Sequence, residues 1–440
     1  MPDSLPRVVI VGGGFGGLAA AKALRKIDAH VTLIDRQNHH LFQPLLYQVA
    51  TSVLSPGQIA SPIREILGKQ RNTMVILGDV TGVDADRRCV FVDSVDREGV
   101  AIPYDYLIVA TGASHSYFGH DEFERFAPGL KSLADAVAIR NRVLLAFEQA
   151  EAEEDPQRHG DLLTFVLVGA GPTGVEMAGA LAILVRQALR SEFRRIDPTS
   201  ARIILIDMGH RVLATFSEAL SAAAKQRLEK LGVEVRLGHG VDRIDADGVI
   251  VDGERIASKT VIWTAGVAPS PAGAWLKAAT DRAGRVRVQP DLTVTGHPEI
   301  FVIGDTVSLD QDGHPLPGVA QVAMQQGRYA GRLIDRRLRD KPAPPPFRYF
   351  DKGNMAVVGK GFAVLQSGRI AVSGLLAWMA WAAVHLEFLG QSSLRVSVFV
   401  QWVWMYLTGQ RGARLIVNHH GSVTNTHVSA STEHQSVRTP

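Results

Sequence analysis

Short apolar runs recur along the chain, at residues 8–11, 31–34 (broken only by Thr32), 165–168, 203–206, 261–263 and 300–303. Such runs are the pattern of strands covered on both faces in a parallel sheet. The first two bracket a glycine cluster, Gly12-Gly13-Gly14-Phe15-Gly16-Gly17, and an Ala/Leu-rich stretch at 18–26 that predicts a helix. The third and fourth bracket Gly169-Ala170-Gly171-Pro172-Thr173-Gly174 and a predicted helix over 175–189. Two strand–turn–helix–strand units therefore stand 157 residues apart, from Gly12 to Gly169. A duplication of this kind points to two nucleotide ligands.

The chemistry follows from the glycines. A diphosphate carries concentrated negative charge, and only backbone without a Cβ turns tightly enough to bring its N–H groups against the oxygens at a helix N-terminus. Gly12, Gly14 and Gly17 fill the three fingerprint positions of the first unit, and Gly169, Gly171 and Gly174 those of the second. A carboxylate at the end of the following strand takes the ribose hydroxyls. Asp35 stands 23 residues after Gly12, close to the usual spacing. Asp207 stands 38 after Gly169, beyond the bare rule, and is kept because a longer helix and a polar segment intervene. An acid there disfavours a 2′-phosphate and so selects NADH over NADPH, although His210 and Arg211 follow it.

Residues 75–109 read as short strands broken by Gly82, Asp84 and Gly99, and residues 133–154 as a helix. Three further strands deliver small residues at their C-terminal ends: Ala110-Thr111-Gly112, Thr264-Ala265-Gly266 and Gly304-Asp305. The sole cysteine, Cys89, excludes an internal disulfide, a redox dithiol and a thiolate-held iron–sulfur cluster. No metal cluster is expected. A formal net charge of +3 without a dense basic stripe gives no case for nucleic acid. Residues 1–7 carry no apolar leader, which predicts a cytoplasmic protein.

With these residues in view, the chain resembles the type II NADH dehydrogenases, single-subunit NADH:quinone oxidoreductases of the two-dinucleotide-binding flavoprotein superfamily. The similarity runs over about residues 8–415. Besides the two fingerprints it rests on His40-Leu41-Phe42-Gln43-Pro44-Leu45-Leu46-Tyr47-Gln48-Val49-Ala50, on Ala320-Gln321-Val322-Ala323-Met324-Gln325-Gln326-Gly327, and on Tyr349-Phe350-Asp351-Lys352-Gly353. The resemblance implies a glutathione-reductase-like α/β fold of two Rossmann-like domains plus a C-terminal membrane-associating region. It implies FAD on Gly12, Gly14, Phe15, Gly17, Asp35, Arg36, Val80, Ala110, Thr111, Gly112, Gly304, Asp305 and Gln321, with Val80 beside the adenine and Asp305 on the ribityl chain. NADH would lie on Gly169, Gly171, Pro172, Thr173, Gly174, Glu176, Asp207, Ala265 and Gly266. A membrane quinone would approach along Pro44, Gln48, Gln321 and Gln325. Glu176, Gln321 and Gln325 are the candidate catalytic residues. From the residues alone, Gln321 and Gln325 share one helix face at i, i+4, and packing of that helix is their alternative role. Glu176 is expected in the first turn of its helix, where the dipole alone would favour a carboxylate.

The C-terminal section holds four of the six tryptophans: Trp378, Trp381, Trp402 and Trp404. Residues 370–389 form a mostly apolar stretch of spanning length, but Ser373, Gly374, His385 and Glu387 interrupt it. An interfacial attachment with tryptophans in the headgroup layer is expected rather than a span, with Arg411 and Arg414 meeting lipid phosphates. A Trp-rich core or dimer interface is the alternative, and a homodimer stays open. The domains are then an FAD-binding domain over 1–118 and 290–341, an NADH-binding domain over 119–289, a membrane-anchoring region over 342–420 and a disordered tail over 421–440. The expected activity is non-pumping transfer of two electrons from NADH to a quinone, on the cytoplasmic face of the cell membrane. Three rivals are weighed: a disulfide or sulfide:quinone reductase, which needs a cysteine pair; a reductase of ferredoxin or rubredoxin, which needs no lipophilic end; and a non-catalytic redox sensor.

Overall fold

The computed structural model describes residues 5–190 and 192–417, and the tail expected at 421–440 lies outside them. The chain opens with β1 (Arg7–Val11), α1 (Phe15–Ala23) and β2 (His30–Asp35), then α2 (Leu46–Ala50). β3 (Thr73–Asp84), β4 (Cys89–Ser94), β5 (Val100–Pro103) and β6 (Tyr106–Val109) follow, and α3 (Leu133–Ala152) leads to the second unit. That unit is β7 (Thr164–Val168), α4 (Pro172–Ile183) and β8 (Arg202–Asp207), continued by β9 (Val233–Leu237) and β10 (Thr260–Trp263). The chain then returns through β11 (Thr293–Val294) and β12 (His297–Val302) to the long α5 (Ala320–Leu338). It ends in β13 (Asn354–Val357), β14 (Ala363–Ser367), β15 (Ile370–Gly374), α6 (Leu375–Phe388) and α7 (Ser392–Thr408).

An eight-stranded sheet runs β11-β12-β6-β1-β2-β3-β4-β5, and a four-stranded one β9-β8-β7-β10. In the first, β1 pairs in parallel with β2 and β6, and β12 with β6. In the second, β7 pairs in parallel with β8 and β10. The all-apolar strands are buried as their composition requires, with Val8, Ile10, Phe165, Val166 and Leu167 at 0% exposure. Each glycine turn therefore leaves the carboxyl end of a central strand, where such sheets bind ligands.

Four expectations are corrected. The stretch 75–109 is not broken at Gly82: β3 runs twelve residues through it, absorbing the glycine in a bulge between Val80 and Gly82. Both fingerprint helices start three residues earlier than the apolar pattern suggests, at Phe15 and Pro172, because the glycine turn is itself the first helical turn. The stretch 370–389 is not one segment. It divides at Gly374 (φ +94°), which ends β15 and begins α6. Finally, Trp381 and Trp402 do not face outward: they sit in the core packed by α2, α3 and α4, while Trp404 is exposed.

Candidate functional site

Gly12 has φ +103°, and a Cβ there would lie 2.3 Å from the Ala110 carbonyl oxygen. A Cβ on Gly17 would lie 1.8 Å from the Gly12 carbonyl oxygen, so α1 docks against the turn only because both residues are glycine. Gly14, by contrast, faces open space, and the α1 N-terminus carries no side-chain cap. Its free N–H groups open on a cavity of about 950 Å³ lined by Gly12, Gly14, Phe15, Asp35, Arg36, Ala110, Thr111, Gly112, Gly304 and Asp305. The Asp35 carboxylate accepts from Gly13 N at 2.5 Å and Gln37 N at 2.7 Å. Burial raises its pKa, and those two bonds oppose the shift. An open, uncapped cradle of this size, with an acid at the adenosine end and Asp305 at the other, fits a dinucleotide. Val80 is not on its wall. The side chain is buried with Val9, Val11 and Ile34 in the core beside the sheet.

The second unit repeats the geometry. Gly169 has φ +111° with the Ala265 backbone nitrogen 2.6 Å from a would-be Cβ, and a Cβ on Gly174 would lie 1.8 Å from the Gly169 carbonyl oxygen. The Asp207 carboxylate accepts from Ala170 N and Gly209 N, both at 2.6 Å, the counterparts of the Asp35 bonds. The 38-residue spacing is thus equivalent to the 23-residue one. The Arg211 guanidinium is occupied by the Ala214 carbonyl at 2.9 Å and by Glu218, which weakens the case for a 2′-phosphate. Gly266 lies under Phe118, which a Cβ would meet at 2.5 Å.

Between the two units lies a second cavity of about 450 Å³. Phe15 comes to it from the first fingerprint and Pro172, Thr173 and Glu176 from the second. Phe42, Pro44, Leu46 and Tyr47 form another wall, Gln321 and Met324 of α5 a third, and Lys352, Val384, His385 and Phe388 complete it. Lys131 lines both cavities and faces Asp305, whose charge opposes the lowering of its pKa by burial. Glu176 is not in the first turn of α4, which starts at Pro172 and carries no acid there. It stands one turn deeper, away from the helix-end dipole, with Oε1 accepting from Val357 N at 3.3 Å. Burial pushes its carboxyl up to about 8. Folding therefore favours the protonated acid, and the stability this supplies is lost as pH rises from the unfolded value toward about 8. Melting curves are expected to show Glu176→Gln gaining on the wild type between pH 5 and pH 8; parallel curves would contradict the burial.

The pyridine nucleotide-disulphide oxidoreductase family model matches residues 6–327. A type II NADH:quinone oxidoreductase of Mycobacterium tuberculosis is 46% identical over 428 residues, covering 95% of this chain and 91% of that protein. The chain belongs to the type II NADH:quinone oxidoreductases. A member from Haemophilus influenzae is 29% identical over 87% of this chain and 93% of its own length. The fold of this type II oxidoreductase superposes on NDH2 from Plasmodium falciparum, solved with NADH, at a TM-score of 0.85 and 20% identity, over 94% of this chain and all of that one. A sulfide:quinone oxidoreductase of Aquifex aeolicus shares the fold more loosely, at a TM-score of 0.67 and 19% identity over 92% of each chain. Cys89 is free, and among the described residues no cluster of His, Cys, Asp or Glu is arranged to hold a metal ion.

Within this type II oxidoreductase the family motifs do not all face the cavity. Gln321 lines it and donates to the Gly353 carbonyl at 3.1 Å, leaving its Oε1 without a partner among the described residues. Gln325 is engaged elsewhere: its amide exchanges two hydrogen bonds with the Phe350 backbone, at 2.9 and 3.0 Å, and ties α5 to the following segment. The packing role holds for Gln325. Gln48 is buried behind Tyr47, donating to its hydroxyl at 2.9 Å and accepting from Trp402 Nε1 at 2.7 Å. It braces α7 and does not line the 450 Å³ cavity. Pro44 keeps its place on the wall. Arg411 and Arg414 do not face lipid: Arg411 is buried, donating to the carbonyls of Thr51 and Ala180, and Arg414 pairs with Glu192. Residue-by-residue reading missed Gln326, whose fully buried Oε1 accepts from Gly304 N at 2.7 Å and holds the turn that carries Asp305. Lys131, Tyr47 and His385 were missed as well. The only sequence signal for Gln326 was its place beside Gln325 in the motif.

Proposed function

We propose that this chain oxidises NADH on a bound FAD and passes the two electrons, without pumping protons, to a quinone entering the 450 Å³ cavity from a membrane surface. One observation carries the reading. The cavity is walled by residues of both fingerprints at one end and by Val384 and Phe388, on the exposed apolar side of α6, at the other. FAD, when bound, supplies the two-electron redox centre between donor and acceptor. The chain supplies the rest. Gly12, Gly14, Phe15 and Gly17 with Asp35, Arg36, Thr111, Gly112 and Asp305 hold the flavin dinucleotide. Gly169, Gly171, Gly174 and Asp207 hold NADH, with Pro172, Thr173, Glu176, Ala265 and Gly266 toward its nicotinamide end. Glu176 keeps a proton on its carboxyl up to about pH 8, beside the path between the two sites. The apolar walls at Phe42, Leu46 and Met324 exclude water from a ring-shaped acceptor, and Lys352 offers donors to a quinone carbonyl.

No helix among the described residues is long and apolar enough to cross a membrane. The exposed side chains of α6 and α7 nevertheless include Leu375, Leu376, Met379, Val396, Phe399, Val400, Val403, Trp404 and Leu407. That face, larger in extent than scattered surface apolars, suits seating in the interfacial layer of the cytoplasmic leaflet. Flotation on vesicles containing anionic lipid tests it. The wild type is expected to float, and Phe399→Asp/Val403→Asp to stay in the dense fraction while still oxidising NADH with a water-soluble quinone. Flotation of the double variant would contradict the membrane reading.

A further inference from the structure

His385 stands on α6 between the buried tryptophans and the 450 Å³ cavity, which it lines. Its ring stacks on Trp381, centroids 4.4 Å apart, and meets the edge of Phe42 at 6.1 Å. Its Nδ1 lies 2.7 Å from the Trp381 carbonyl oxygen. A carbonyl only accepts, so Nδ1 carries the hydrogen, and the tautomer is settled by the helix itself. Burial also pushes the imidazole pKa down to about 4, so the ring is neutral at physiological pH. Nε2 is then a bare acceptor, without a hydrogen-bond partner among the described residues, on the side of the ring away from the helix backbone.

A quinone presents only lone pairs at its two carbonyl oxygens, and these have nothing to offer such an atom. A quinol presents two O–H groups. Resting on the reading that this cavity seats the quinone, we infer that His385 Nε2 accepts a hydrogen bond from the quinol hydroxyl, so that this wall recognises the reduced product. The Gln321 Oε1 is unpartnered among the described residues but buried and does not open on the cavity, whereas Lys352 lines it as a donor and suits the oxidised ring. An acceptor at His385 and a donor at Lys352 on one apolar cavity thus divide the two redox forms between them. The bond to His385 exists only once the acceptor has taken up its protons, and it favours the reduced side of the reaction.

The test uses the FAD-loaded full chain, saturating NADH and a short-chain quinone with its quinol. His385→Asn keeps an amide donor for the Trp381 carbonyl but is too short to place its own oxygen where Nε2 stands; His385→Gln returns an oxygen near the position of Nε2. The inhibition constant of the quinol is expected to rise about tenfold in His385→Asn, about 1.4 kcal/mol, with the quinone KM changed less than twofold. His385→Gln is expected to recover most of that loss. An unchanged quinol inhibition constant, or one that rises in step with the quinone KM, would overturn the inference. Failure of the cavity reading is separable: it would appear as normal quinone reduction by Val384→Trp, in which the cavity mouth is filled.

Discussion

Gly17→Ala is expected to purify as a colourless protein with FAD affinity lowered roughly 10- to 100-fold, the ~1–3 kcal/mol typical of overpacking. The added methyl would stand 1.8 Å from the Gly12 carbonyl oxygen, far inside contact distance. Gly12 cannot retreat, because it already sits at φ +103° against the Ala110 carbonyl. Relief therefore has to come from moving α1, whose uncapped N–H groups are aimed at the diphosphate. Gly174→Ala makes the same clash with the Gly169 carbonyl in the second unit. It is expected to retain its yellow colour while losing reduction by NADH. The flavin-to-protein absorbance ratio after gel filtration, and an anaerobic NADH titration, check the pair. Normal flavin content in Gly17→Ala would show that this turn is not the cradle.

Val384→Trp is expected to lower kcat/KM for a quinone roughly 30- to 100-fold, ~2–3 kcal/mol, while leaving bound-flavin reduction by NADH within twofold. Val384 is 37% exposed and lines the cavity where it meets the outer face of α6. An indole there fills the mouth without reaching either fingerprint, so only the second half of the reaction is obstructed. Stopped-flow measurement of the two half-reactions separates them. Equal slowing of both would indicate a general distortion instead of a blocked entrance.

The parts of this protein that were legible in its residues are those where backbone chemistry leaves few choices. A turn that needs φ above +100° at Gly12 and Gly169 and contact at Gly17 and Gly174 admits glycine and little else, so both fingerprints announce themselves. Asp207 was readable despite its spacing because it ends the apolar strand that follows the second glycine turn, and its bonds to Ala170 N and Gly209 N mirror those of Asp35. Side-chain direction was not legible in that way. Gln325 and Gln321 share a helix face, yet one is held by the Phe350 backbone and the other reaches the cavity, which depends on where the segment at 350–353 lies. The bond from Trp402 that turns Gln48 away from the 450 Å³ cavity could not be foreseen, because the partner is 354 residues away. Hydropathy alone likewise joined residues 370–389, since it does not register the positive φ of Gly374.

Electrons from NADH are expected to leave the bound flavin for a quinone. Mixing the yellow holoprotein anaerobically with one equivalent of NADH, then with one equivalent of a short-chain quinone, tests it most directly. The expected result is loss of the yellow absorbance with NADH and its full return with the quinone. Persistence of the bleached state after the quinone is added, with rapid return on adding a ferredoxin, would contradict the account.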